Sequence, residues 1–345
     1  MANMVNWYPC KVFEVLITLI LKKAKMQLIP ANKYLTSEER RILTEKNDFL
    51  AWRGIFIHYG MIAVAFALVY YFLNAFTVIL ALLILGGQQL GCAVLMHDTG
   101  HYAYFSNKKL NDFIGQWLGA YPVFNNMLAY RSYHFKHHIS NGLEEDPDLL
   151  LTRGYPTSKK SMIRKFTRDL TGQTGMKSLF GLILMHLGYL EYSLGGKIIK
   201  VSQKDRTRKE FVKVFIENLG GSIVAQILLI LVLYILASPW LYLLWIGAYF
   251  TTFQLCIRIR AMAEHSMVED QKDPYLNTRT TKANLIERIF FAPYHVNFHN
   301  EHHMLMSVPP YHLPEMHKLL MERKFYEKGI LAPSYWSVVR KASGS

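Results

Sequence analysis

The chain has 345 residues, with 39 Lys and Arg against 25 Asp and Glu, a formal net charge of +14. Charged residues make up only 19% and hydrophobic ones 51%. A soluble domain carries roughly 25% charge, so this composition excludes a disordered or collagen-like chain and is short of what a fully water-facing surface needs. Cys10, Cys92 and Cys256 stand far apart with no C-x-x-C pair, which excludes a thiolate metal site and a secreted disulfide framework.

In chain order, residues 12–21 are apolar but interrupted by Glu14. They read as an amphipathic helix lying on a membrane, within a cytosolic or interfacial segment over 1–50. Residues 54–97 then run for 44 positions without Asp, Glu, Lys or Arg, and residues 218–257 for another 40. One membrane span takes roughly 20 apolar residues, so each block holds two. Uncharged turns at Asn74 and at Ser238-Pro239 divide them, predicting spans near 55–73, 76–96, 220–237 and 240–258. Two such blocks argue against a buried hairpin of a soluble protein.

Between the blocks, residues 113–130 are 18 uncharged positions, but Gly115, Gln116, Gly119, Pro122, Asn125 and Asn126 suit an interfacial or re-entrant segment. Residues 178–190, 13 uncharged positions, are too short to cross. The basic residues (Lys22, Lys23, Arg40, Arg41, Lys46 and Arg53, then Arg131, Lys136, Lys159, Lys160, Arg164, Lys165 and Arg168) all flank the ends opposite the turns. The positive-inside rule makes those ends cytoplasmic, and the excess charge suits anionic lipid headgroups. No nucleic-acid motif accompanies it. The expected fold is an all-α integral membrane protein: four transmembrane helices in two hairpins, interfacial helices, and a cytosolic histidine-rich cap. Residues 51–320 form the membrane-bound body and 321–345 a cytosolic tail.

Nine of the 14 histidines fall into four groups. His97 and His101 frame H-D-T-G-H after the second span; His134, His137 and His138 form H-F-K-H-H. His265 follows the fourth span, and His299, His302 and His303 form H-N-E-H-H. Residues at i, i+3 and i+4 share a helix face, and the two hairpins return all four groups to one side of the membrane. Neutral imidazole is the commonest ligand for transition metals, and nine exceed what one ion accepts, so they divide between two. Asp98, Asp146, Asp148, Glu264 and Glu301 are the nearby carboxylates expected to orient the rings. His295, four residues before His299, is expected behind the ligands. His58 and His186 read as packing residues, and His312 and His317 as surface groups.

H-x-x-x-H, H-x-x-H-H and H-x-x-H-H on two hairpins resemble the membrane-bound fatty acid desaturase and hydroxylase superfamily, over about residues 51–320. The resemblance implies that His97, His101, His134, His137, His138, His299, His302 and His303 are box ligands, with His265 as the isolated ninth. It implies two iron ions, O2 as co-substrate, and desaturation of an acyl chain. Tyr102, Tyr104, Phe105, Trp117, Tyr121, Tyr133, Phe250 and Phe253 are candidates to line an acyl tunnel. No H-P-G-G haem motif occurs, so electrons are expected from a separate donor of the ferredoxin, rubredoxin or cytochrome b5 type with its reductase. The boxes are expected on the cytoplasmic face, of a bacterial inner membrane rather than the endoplasmic reticulum. The nearest alternatives keep the metals and change the product: hydroxylation, carotenoid ketolation or oxidative decarboxylation of a fatty acid. A membrane metal-binding protein or transporter is the alternative of another class, but it should place ligands within the spans.

Overall fold

The computed structural model describes residues 29–270 and 272–344; the amphipathic helix expected at 12–21 lies outside them. A short helix, α1 (Ser37–Thr44), opens with a capping box between Thr36 and Glu39. Asn47 then caps α2 (Asp48–Tyr71), accepting from the backbone N–H of Leu50 at 3.1 Å. The chain turns at Asn74, which with Thr77 makes a second capping box at the start of α3 (Ala75–Gly100). Each cap satisfies backbone donors that a helix start leaves open.

The stretch after the first box is broken, as its glycines and proline require. It comprises α4 (Lys108–Ile114), a π-helical turn at Gly115–Ala120, a 3-10 turn at Tyr121–Val123 and a left-handed Phe124 (φ 59°). None of it is long and apolar enough to span. Helix α5 (Met127–Ser140) carries the second box, capped by the Asn126 side chain. Helices α6 (Lys159–Leu170) and α7 (Gln173–His186) follow; α7 stops at 14 residues, too short to cross.

Two long helices follow: α8 (Arg208–Leu236) and, after the Ser238-Pro239 turn, α9 (Pro239–His265). Together with α2 and α3 they are the four helices among the described residues long and apolar enough to cross a membrane. The most apolar stretches of α3 and α9 are 61% and 50% buried, against 33% and 22% in α2 and α8, so α3 and α9 form the inner pair. Gly86 allows this pairing: a Cβ there would stand 2.3 Å from Thr252 Oγ1 and 2.8 Å from the Phe253 backbone nitrogen. The Thr252 hydroxyl donates to the Leu82 carbonyl at 2.5 Å across the same contact. Phe56, Val64, Ile227 and Leu231 on the outer pair are exposed, where a bilayer would cover them.

The remainder packs over one end of these helices. Strand β1 (Arg279–Thr281) precedes α10 (Leu285–Phe290), α11 (His299–Met304), which carries the third box, and α12 (Leu313–Glu322). Strand β2 (Ile330–Ala332) pairs with β1 in parallel, Arg279 opposite Ile330, and α13 (Tyr335–Ala342) packs back on α9. Helix α3 has 26 residues, about 39 Å at 1.5 Å per residue. That exceeds a hydrocarbon core of about 30 Å, so its last turns, with the first box, project beyond the apolar slab.

A candidate two-metal centre

Helices α3 and α9 run in the same direction from their turns, so the first box and His265 emerge at the same end. Helices α5 and α11 close over that end, and all nine histidines meet. His97, His101, His134, His138 and His302 form one group whose ring nitrogens lie within 4.8 Å of one another; His137, His265 and His303 form another. His299 joins the second through His265 (ring centroids 4.6 Å apart) together with a Glu264 carboxylate oxygen. The groups abut, with His138 and His303 ring centroids 4.3 Å apart.

The sequence spacing suggests that each H-x-x-H-H aims its rings one way; the structure splits each box. A helix turns about 100° per residue, which puts i+4 about 40° to one side of i and i+3 about 60° to the other. Residues i and i+4 of the second box, His134 and His138, face the first group, while His137 faces the second. The third box is reversed: His299 and His303 face the second group and His302 crosses to the first.

The donor set fits metal ions. His138 Nε2 faces two other ring nitrogens, His134 Nε2 at 2.9 Å and His302 Nε2 at 3.1 Å, and His299 Nε2 faces His265 Nε2 at 2.7 Å. A single proton bridges only one such pair. Ligands about 2.1 Å from one ion and at right angles stand about 3 Å apart, which matches these contacts. His97 Nε2, His101 Nε2, His134 Nδ1, His138 Nδ1, His299 Nδ1 and His303 Nε2 are buried with no hydrogen-bond partner. Burial first, then neighbouring positive charge, pushes His134, His138, His299, His302 and His303 well below the ordinary imidazole range and His101 down to about 3. The rings are therefore neutral, the form that binds metal.

The carboxylates divide by role. Asp98 lies 2.7 Å from His97 Nδ1, and Asp146 lies 2.8 Å from His137 Nδ1 while accepting from the backbone N–H groups of Gly142 and Asp148. Asp148 accepts from the Tyr133 hydroxyl and stands 3.7 Å from His137 Nδ1. Burial opposes charge on His137, but Asp146 and Asp148 lift it above the usual range. Glu264 pairs with Arg260 at 2.6 Å and lies 3.7 Å from His299 Nδ1, near enough to the second group to serve as a ligand itself.

Three expectations are corrected here. Among the described residues Glu301 makes no hydrogen bond or ion pair with a box imidazole; fully buried, it accepts from Thr280 (2.6 Å), Tyr326 (2.5 Å) and His317 Nδ1 (2.6 Å), so His317 is a half-buried anchor rather than a free surface group. His295 does not stand behind the box histidines. The helical spacing to His299 is broken because Tyr294 and His295 are both left-handed (φ 52° and 59°) and α11 starts only at His299. The His295 ring instead lines a cavity of about 260 Å³ beside α2. Of the eight aromatics expected along a tunnel, Tyr104 alone lines that cavity; Phe105, Tyr133 and Phe253 sit in the packed core.

Sequence reasoning missed the groups that hold the boxes in place. Arg131, buried in α5, donates to the Gly100 carbonyl (2.8 Å), Tyr102 hydroxyl (2.8 Å) and Asp112 (2.5 Å), fixing the end of α3 at the first box. Arg279 donates to the carbonyls of Met262, Ala263, Ser266 and Met267, capping α9 beside His265; a cation is favourable at a helix C-terminus. Asn300 ties the third box to both strands through Thr278, Thr280 and Ile330. The signal available was the asparagine and glutamate inside H-N-E-H-H, which are the anchors of the motif.

Comparison with known proteins agrees with this geometry. The chain is 30% identical over 260 residues to the dihydrorhizobitoxine desaturase of Bradyrhizobium elkanii, covering 72% of this chain and 69% of that protein. It is 26% identical over 317 residues to the sn-1 oleoyl-lipid 12-desaturase of Synechocystis sp., covering 87% and 84%. The profile of the fatty acid desaturase family matches residues 72–336, every box included, and the chain belongs to that family.

Proposed function

We propose that this protein is an O2-dependent di-iron desaturase that introduces a double bond into an acyl chain. The observation that carries the reading is the convergence of nine imidazoles, seven of them buried, into two abutting groups at one end of four apolar helices. His97, His101, His134, His138 and His302 would hold one iron, and His137, His265, His299 and His303, with Glu264 alongside, the other. The two ions would supply the activation of O2 needed to break unactivated C–H bonds, which no side chain achieves by acid–base chemistry.

What the chain itself contributes is orientation and exclusion of water. Asp98 and Asp146 set the tautomers of His97 and His137 by taking their Nδ1 protons in hydrogen bonds, leaving Nε2 for metal. Burial keeps the other rings neutral. The basic flanks support a cytoplasmic site, with 51–320 as the membrane-bound body, and a separate protein delivers the two electrons.

The test is expression in a host lacking such activity, with metal quantitation on the purified protein and mass spectrometry of host lipids. Iron near two per chain and a product two hydrogens lighter are expected, both lost in His138→Ala with the protein still in the membrane fraction. A product gaining a hydroxyl, or a hydrocarbon shortened by one carbon, would replace desaturation by a sister outcome. Zinc without O2 consumption would overturn the di-iron reading.

A further inference from the structure

The cavity beside α2 has a construction that the metal centre does not explain. Its walls come from the first half of α2, the middle of α3 and the 288–295 corner. Arg53 and Arg288, 235 positions apart in the chain, both line it, and neither makes an ion pair or side-chain hydrogen bond with another described residue. The Tyr294 hydroxyl and His295 Nδ1, also in its wall, are buried without a partner. Both residues occupy the left-handed region (φ 52° and 59°), a conformation that strains a non-glycine residue. The other end is apolar: Ile57 and Met61 line it. From Arg53 to Met61 is eight residues of α2, about 12 Å, directed from the box end of the helix toward its middle.

A lone arginine near the end of a span commonly reaches for the membrane surface. Two unpaired arginines at the mouth of one open pocket that also holds two unsatisfied polar atoms are a different arrangement. We infer that this cavity binds the anionic headgroup of a single amphiphile, a phosphate or a carboxylate, with Arg53 and Arg288 on the anion and the Ile57–Met61 wall on the first part of its chain. Guanidinium is suited to either oxyanion because it donates two parallel hydrogen bonds. Gln88, also in the wall, precedes His97 by nine residues on α3, which places that wall about 14 Å along the helix from the first box. The inference rests on the membrane placement proposed above and is independent of the metal chemistry.

Binding without turnover tests it. The full chain is purified in neutral detergent, and titrated separately with oleoyl lysophosphatidylglycerol, oleate and monoolein. One equivalent of an anionic probe should bind at least about tenfold more tightly than monoolein, and whichever anion binds better identifies phosphate or carboxylate as the partner. Each of Arg53→Gln and Arg288→Gln should weaken it by about tenfold, the loss of one charge-assisted hydrogen bond. Arg53→Lys should retain part of the affinity for the phosphate probe. Ile57→Trp, which fills the apolar wall at an exposed position, should weaken all three probes. Both arginines are exposed, so elution volume and thermal midpoint should stay unchanged. Unaltered anion binding in the double Gln variant, or equal binding of monoolein, would overturn the assignment whether or not the protein proves to be a desaturase.

Discussion

Asp146→Asn tests how the two histidine groups are held. The Asp146 carboxylate receives three donors: His137 Nδ1 at 2.8 Å and Asp148 N–H at 2.9 Å on Oδ1, and Gly142 N–H at 2.9 Å on Oδ2. Asparagine keeps the volume, but loses the charge and turns one oxygen into an NH2 that must face either His137 or the Gly142 N–H. A hydrogen bond to a charged group contributes about 1.5–3 kcal/mol, which corresponds to about 10–100-fold in affinity. The range measured when such a carboxylate behind a metal-bound histidine is removed is the same. His137 belongs to the second group alone, so the weakening should fall on one ion. The assay is chelator competition with metal counting: the wild type should release the two proposed ions together at high chelator, and the variant should release one about 10–100-fold earlier. Parallel loss of both ions, or no change in either, would refute the partition of the nine histidines argued here.

Asp169 is fully buried on α6 and holds Arg258 of α9 in a bidentate pair at 2.5 and 2.8 Å, with the Thr174 hydroxyl at 2.6 Å. Asp169→Ala should cost about 1.5–3 kcal/mol, the loss of charge-assisted hydrogen bonds to a half-buried Arg258, read as a fall in the thermal midpoint in detergent with metal content per folded chain unchanged. His186 is buried with Nε2 3.2 Å from the Phe124 carbonyl, and burial holds its pKa down to about 4. Because the folded value lies below the unfolded value of about 6.5, its stabilisation is complete above pH 6.5 and is lost as the pH falls to about 4. The total is about 3 kcal/mol at 1.36 kcal/mol per unit. His186→Gln should flatten the acid limb of thermal midpoint against pH between those values, and an unchanged limb would assign the acid loss elsewhere.

Much of this protein was legible in one dimension. A run of 44 uncharged residues has only one economical fate, because an unpaired backbone is costly in lipid and helices satisfy it internally. The Asn74 and Ser238-Pro239 turns were readable for a similarly local reason: capping and the fixed φ of proline depend on neighbours in sequence. Two helices starting at such turns and ending in histidines must bring those histidines to one side. Composition, capping chemistry and chain direction are therefore enough to bring the histidines to a common end.

What sequence could not supply is anything that depends on where a helix starts or which way it is rotated. His295 was placed by helical spacing from His299, yet two left-handed residues end that periodicity and aim the ring into a separate cavity. Glu301 and His317 looked like a site carboxylate and a surface group, and packing made them partners 2.6 Å apart under the third box. The assignment of each ring to one group or the other follows from a difference of about 100° around a helix axis between i+3 and i+4, and has consequences only once a second helix faces the first. Which histidines cluster is a property of composition and spacing; which of the two groups each joins is a property of how helices are docked, because side-chain direction is set by rotation about the axis, and tertiary packing alone determines that rotation.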